Sequence, residues 1–155
     1  MIGMIWAESR DGFIGRAGGG LLWHIPDELK HFRRATERGA LVMGRKTYES
    51  LPGELPGRPV VVASRSGLSL EEAIEQARSL RPIVWIAGGL EIYQQTIEMG
   101  LASFASVTEV DLHGFPGDLV KAPELSSDWS RLNAGPWKRD RVTGIRFKPS
   151  LYLRN

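Results

Sequence analysis

At 155 residues, with 42% apolar and 25% charged side chains, the chain has the make-up of a single globular domain large enough to bury a core. It contains no cysteine, which excludes a disulfide framework, thiol catalysis and a thiolate metal site. A formal net charge of +2 with no dense Lys/Arg stripe gives no argument for nucleic-acid binding.

No apolar run reaches the length of a membrane span, and Met1 leads into a strand-like run without the basic start of a signal peptide. The expected location is the cytoplasm. Ile2 to Ala7 is almost wholly apolar, as in a strand covered on both faces of a parallel sheet. Arg10-Asp11-Gly12 breaks it, and Arg16 to Gly20, with three successive glycines, reads as a loop. Pro26 then fits the first turn of a helix, followed by Asp27 and Glu28 where the helix dipole favours acids. This helix is expected to run to about Arg38, with Gly39 as a left-handed stop. Glu28 shares the face of Phe32, four residues on, whereas Asp27 lines up with Lys30 and His31. One acid therefore points inward and its neighbour outward, although two acids stabilising a helix start remain an alternative.

Ala40 to Met43 is a second buried strand, ended by Gly44-Arg45-Lys46-Thr47 and a short helix towards Ser50. Pro52, Gly53, Pro56 and Gly57 make a stiff loop before a third strand, Val60 to Ala63. Ser69 and Glu72 form a capping-box pattern opening a helix that reaches about Leu80. Ile83 to Ala87 is a fourth strand running into Gly88-Gly89 and a helix from about Leu90 to Glu98, and Ala102 to Val110 is a fifth. After Asp111 the alternation of strand and helix stops. Two runs, Trp137–Val142 and Ile145–Leu153, flank Thr143-Gly144 as an antiparallel hairpin. The pattern predicts one α/β domain over 1–155, with a mostly parallel twisted central sheet, an antiparallel C-terminal edge and helices on both faces.

Two strand–glycine–helix turns could hold phosphates. Gly44-Arg45-Lys46-Thr47 offers backbone donors and two cations at a helix start; it is either a phosphate site or a capped helix with surface cations. Gly88-Gly89 is either a tight turn or a place where a pyrophosphate approaches the backbone, and it lacks the third glycine of a dinucleotide fingerprint. Both turns fall at the carboxyl ends of strands, where open α/β sheets bind ligands. Arg58, on a Pro-Gly loop, is either a solvated arginine or a grip for a carboxylate. His24, His31 and His113 show no zinc spacing, so no metal is expected.

Together these stretches resemble dihydrofolate reductase over nearly the whole chain, in its bacterial, actinobacterial or phage-like forms. The resemblance rests on Ile5-Trp6-Ala7, Gly12-Phe13-Ile14-Gly15, Trp23 through Phe32, Met43 to Thr47, Leu55-Pro56-Gly57-Arg58, Gly88-Gly89 to Tyr93, Thr108 to Asp111 and Gly117-Asp118, in order. It implies NADPH-dependent reduction of 7,8-dihydrofolate to tetrahydrofolate by a monomer, a target of antifolates. By position it implies that Glu28 holds the pteridine edge, that Thr108 hydrogen-bonds this acid, and that Trp23 positions a water. Ile5, Ala7, Leu29, Phe32, Leu51, Leu55 and Ala87 would line the substrate pocket, and Arg58 would take the glutamate carboxylate. Gly44, Arg45, Lys46, Thr47, Ser64 and Arg65 would hold the cofactor's phosphates and adenosine end. Gly88 and Gly89, joined by a cis peptide in the family, would face its pyrophosphate and nicotinamide with Ile92 and Tyr93. Ala7, Ile14 and Gly15 would lie near the nicotinamide, the latter two on a mobile loop latched by Asp118.

The chain departs from that pattern in a mobile loop one residue longer, and in Leu22, Val60, Ala87 and Glu91, where the family usually has proline, asparagine, isoleucine or valine, and often a cation. A reductase of another pteridine-like substrate, as in the riboflavin pathway, shares the same architecture, and a catalytically idle binding protein could keep it. Arg58 and Glu28 argue for a folate, and the intact acid and glycine turns argue for an enzyme.

Overall fold

Each apolar run bounded by glycine or polar residues becomes a strand in the computed structural model, which describes residues 1–51 and 55–155. Pro52 and Gly53 of the expected stiff loop lie outside the described residues. In chain order the elements are β1 (Ile2–Ser9), β2 (Phe13–Arg16), α1 (Pro26–Thr36), β3 (Ala40–Gly44), α2 (Arg45–Glu49), β4 (Val60–Ala63) and α3 (Leu70–Leu80). Then follow β5 (Val84–Ile86), α4 (Leu90–Glu98), β6 (Phe104–Val110), β7 (Leu119–Lys121), β8 (Trp129–Ala134), β9 (Lys138–Arg139) and β10 (Arg146–Arg154).

The main sheet has the order β4-β3-β5-β1-β6-β10-β8, with β9 beside β10. From β4 to β6 every pairing is parallel, because each connection carries the chain back across the sheet before the next strand begins. β10 runs antiparallel to β6, and β8 antiparallel to β10. The C-terminal strand is therefore not the edge the sequence suggests: β8 covers it. The polar residues Ser130, Arg131 and Asn133 hid this strand, and their exposure suits an edge.

The central strands are buried on both faces, as their continuous apolar runs require. On one face Leu70, Ala73, Ile74 and Ala77 of α3 and Tyr93 of α4 pack on Met4, Val42, Val84 and Ile86. On the other, Phe32 and Ala35 of α1 meet Ile5, Leu41, Met43 and Trp85. The capping box forms as expected: Glu72 N–H donates to Ser69 Oγ, and Ser69 N–H donates to the Glu72 carboxylate, both at 3.1 Å.

Helix α1 ends two residues earlier than expected, and Gly39 is not left-handed. Its N–H instead closes a tight turn on the Thr36 carbonyl at 3.0 Å. The glycine answers a packing demand, since a Cβ there would sit 2.7 Å from Trp85 Cδ1 and 3.1 Å from the Ile83 carbonyl. Gly39→Ala should lower stability by roughly 1–3 kcal/mol in urea unfolding; an unchanged midpoint would show that Trp85 yields freely.

The expected hairpin is also corrected. β9 has only two residues, pairing Arg139 with Arg146 and Lys138 with Phe147. Asp140 to Thr143 turns instead of extending, because the Asp140 side chain takes up the backbone donors of the turn. No helix among the described residues is long and apolar enough to cross a membrane.

Candidate active site

The carboxyl ends of β1, β3, β4, β5 and β6 open onto a cavity of about 1290 Å³, through Ala7, Gly44, Ala63, Ala87 and Thr108. Parallel pairing in register sets Ala7 directly beside Thr108 at this end of the sheet. The cavity has an apolar bay and a cationic rim, and the sequence-predicted residues divide between them.

Glu28 borders the apolar bay with Ile5, Leu29, Phe32, Leu51 and Leu55. Pro26 starts the helix and the i, i+4 spacing puts Glu28 on the Phe32 side, as the sequence implies. Burial pushes its carboxyl up to about 7, and among the described residues no hydrogen bond offsets that cost. Thr108 and Trp23 border the same cavity. The expected hydrogen bond between Thr108 and Glu28 is not made among the described residues; the two share the lining of the cavity.

Asp27 does not simply face solvent. Its carboxylate accepts from the Arg141 N–H at 2.9 Å and from the Arg141 guanidinium, with Lys30 at 3.8 Å. Hydrogen bonds from Arg141 hold its carboxyl below the usual range. Asp27 N–H in turn donates to Asp140 Oδ1 at 2.8 Å. Asp140, only 1% exposed, also accepts from Val142 N–H, Thr143 N–H and Thr143 Oγ1 through Oδ2. Burial opposes its ionisation, but these donors outweigh it and hold the carboxyl down at about 2. Asp140 thus pins the first turn of α1 one residue from Glu28. The sequence reading missed it, although an Asp three residues before a Thr-Gly turn is a recognisable side-chain-capped turn.

At the other end the two glycine turns come together: Gly44 N–H donates to the Gly88 carbonyl at 2.9 Å. Gly88 has φ +119° and its peptide bond to Gly89 is cis. A Cβ on either residue would meet Thr47 Oγ1 at 3.2 to 3.3 Å, so α2 and the start of α4 form one close-set cradle. Ile92 borders it, and the buried Tyr93 hydroxyl donates to the Ile5 carbonyl at 2.6 Å, tying α4 to β1. Burial pushes the Tyr93 phenol up, leaving it a fixed neutral donor. Arg45, Lys46, Ser64 and Arg65 line the rim beyond.

Ile14 and Gly15 border the cavity on β2, which pairs with β7 as a separate two-stranded ribbon. Neither short strand was expected, since a glycine interrupts the first and only three residues make the second. Asp118 does meet the loop, but with its backbone carbonyl, which accepts from Ala17 N–H at 3.0 Å. Arg58 stands apart from the cavity lining. One of its nitrogens donates to the Arg33 carbonyl at 3.2 Å, while Nε and Nη1 are buried with no partner among the described residues. Arg33 itself borders the cavity.

An open α/β sheet with a cleft at its strand ends, two close-set glycine turns with cations beyond them, and an apolar bay bordered by the acid Glu28 is an arrangement suited to a nucleotide-dependent enzyme. The comparisons with known proteins narrow that class. The model of the dihydrofolate reductase family matches residues 1–154. The dihydrofolate reductase of Mycobacterium tuberculosis (strain ATCC 25618 / H37Rv) is 38% identical over 167 aligned residues, covering 100% of this chain and 99% of that protein. That of Mycobacterium leprae is 37% identical over 171, with the same coverage. A solved dihydrofolate reductase from Enterococcus faecalis, in complex with NADP(H) and RAB-propyl, superposes with a TM-score of 0.83 at 29% identity, covering 100% of this chain and 96% of that one. The chain belongs to the dihydrofolate reductase family.

Proposed function

We infer that the chain catalyses NADPH-dependent reduction of 7,8-dihydrofolate to 5,6,7,8-tetrahydrofolate. The observation that carries this reading is Glu28, an unpartnered acid in an apolar bay opposite a phosphate cradle. The N3 and 2-amino group of a pterin supply the donors that such a carboxylate lacks, so substrate binding and ionisation of Glu28 support each other. NADPH, when bound, supplies the hydride that goes to pterin C6. The Gly44 and Gly88 backbones, with Arg45 and Lys46, fit its phosphates by close approach and charge.

The chain's remaining residues position and enclose the substrate. Ile5, Leu29, Phe32, Leu51, Leu55 and Ala87 form an apolar wall against which flat rings stack. Thr108 and Trp23 flank the acid and orient water near it. Arg58 is the arginine we assign to the glutamate carboxylate; its Nε and Nη1, buried outside the cavity lining and without a partner among the described residues, would turn past Arg33 to reach it. The proton for N5 comes from water, because Glu28 holds the opposite edge of the pterin. The loop between β2 and α1 excludes bulk water when closed over the rings. We assign the protein to the cytoplasm, as a monomer without nucleic-acid or membrane partners.

The direct test is loss of NADPH absorbance on adding dihydrofolate. Turnover supports the assignment; turnover only with a ribityl-aminopyrimidine of the riboflavin pathway overturns it. The small side chain of Ala87 on the wall also widens the bay. Ala87→Ile should tighten inhibition by diaminopyrimidine antifolates by roughly 3–10-fold through restored apolar contact. Unchanged or weaker inhibition would show that the extra space is not at the inhibitor's position.

A further inference from the structure

Among the described residues two acids border the cavity near the cationic rim: Glu72, held in the Ser69 capping box, and Glu91, which faces an arginine. Arg45 is cradled by hydroxyls, donating from Nη2 to Ser64 Oγ at 3.3 Å and Ser66 Oγ at 3.4 Å. Arg65, between those serines, reaches the other way, across to α4, where its Nη2 donates to Glu91 Oε1 at 3.2 Å. All five side chains border the cavity. Arg65 is 92% and Glu91 65% exposed, so the pair adds little to stability. Its effect falls on whatever anion enters. A phosphate approaching Arg65 must displace a carboxylate already there, and then remain beside that negative charge.

We propose that Glu91 is a specificity-determining residue for the dinucleotide: by engaging Arg65 and setting a negative charge on the rim, it shrinks the advantage of a 2′-phosphorylated dinucleotide over its unphosphorylated counterpart. The inference rests on reading the cleft as an NADPH site and deepens that reading. The pyrophosphate is common to NADPH and NADH and is served by the glycine cradle, so the difference between the two ligands isolates the rim. Glu91 also sits in the first turn of α4, where an acid suits the helix dipole. Glu91→Gln keeps the shape and an acceptor for Arg65 and removes only the charge.

The test is direct binding of NADPH and of NADH to the full chain, without substrate, followed by tryptophan fluorescence or calorimetry. Glu91→Gln should tighten NADPH by roughly 3–10-fold and NADH by less than about 2-fold. The gain should shrink in about 0.5 M salt, because the rim is exposed. In an Arg65→Met background the same change should give at most about half that gain, since the two side chains act as a pair. An unmoved ratio of NADPH to NADH affinity, or a full gain without Arg65, overturns the proposal. Wild-type protein that binds neither dinucleotide overturns the cleft assignment as well, whereas binding of both with an unmoved ratio overturns the role of Glu91 alone.

Discussion

Glu28→Gln is expected to cut turnover of dihydrofolate by on the order of 10²-fold or more, while making the ligand-free protein more stable above neutral pH. Both effects have one cause. The folded chain raises this carboxyl from 4.5 to about 7 by burial, so between those values it holds a proton that the unfolded chain has released. Stability from this group is therefore complete below pH 4.5, falls as pH rises through the window, and is lost above about 7. Gln is neutral throughout and escapes the loss. Near pH 4 the variant should match the wild type; near pH 8 it should be more stable by about 2 kcal/mol, allowing for the solvent that reaches the cleft. Urea unfolding at the two pH values measures this, and equal differences at both would mean that Glu28 is solvated. On the proposed reading, the pterin's donors would relieve the energetic cost that burial of Glu28 places on the apo protein, and the same substitution would therefore harm catalysis.

Asp140→Ala should have the largest effect on folding and a secondary one on activity. Removal of the carboxylate leaves three part-buried backbone N–H groups, of Asp27, Val142 and Thr143, without their acceptor. The melting temperature should fall by on the order of 10 °C. Because Asp140 is held at about 2, its contribution is fully present above the ordinary carboxyl value of 3.8 and is lost progressively as pH falls from there through about 2. The turn it organises anchors Asp27, so KM for dihydrofolate should rise in the surviving folded protein, through Glu28 one residue on. Asp140→Asn keeps one acceptor and should recover part of both losses. A variant that melts like the wild type would show that water replaces the carboxylate and that α1 needs no anchor from the C-terminal turn.

The residues that were legible in the sequence are those whose local pattern is sufficient. Pro26 before two acids and the Glu28–Phe32 spacing located the acid and its direction, and the glycine turns after Met43 and Ala87 located the cradle. What they could not give was which turns meet: the Gly44 to Gly88 hydrogen bond joins elements 44 residues apart, and only the parallel order of β3 and β5 brings it about. Asp27 was misread for the same reason. Its helical neighbours suggested solvent, but Arg141 and Asp140 arrive from a distant turn. Gly39 looked like a helix stop because glycine commonly is one, whereas Trp85 crowds it from another strand. β8 was hidden by its own exposure, since an edge strand with polar side chains lacks the apolar run that marks its neighbours. Glu91 was visible as an unusual acid, but its partner, Arg65, emerged only once the turn after β4 faced α4.

The most direct test of the account is a crystal structure of the chain with folate and NADP+. It should show both Glu28 carboxylate oxygens within hydrogen-bond distance of the pterin N3 and 2-amino group, with the nicotinamide ring against the pteridine. A pterin seated with that edge away from Glu28, or a Glu28 side chain turned out to solvent while folate is bound, would contradict it.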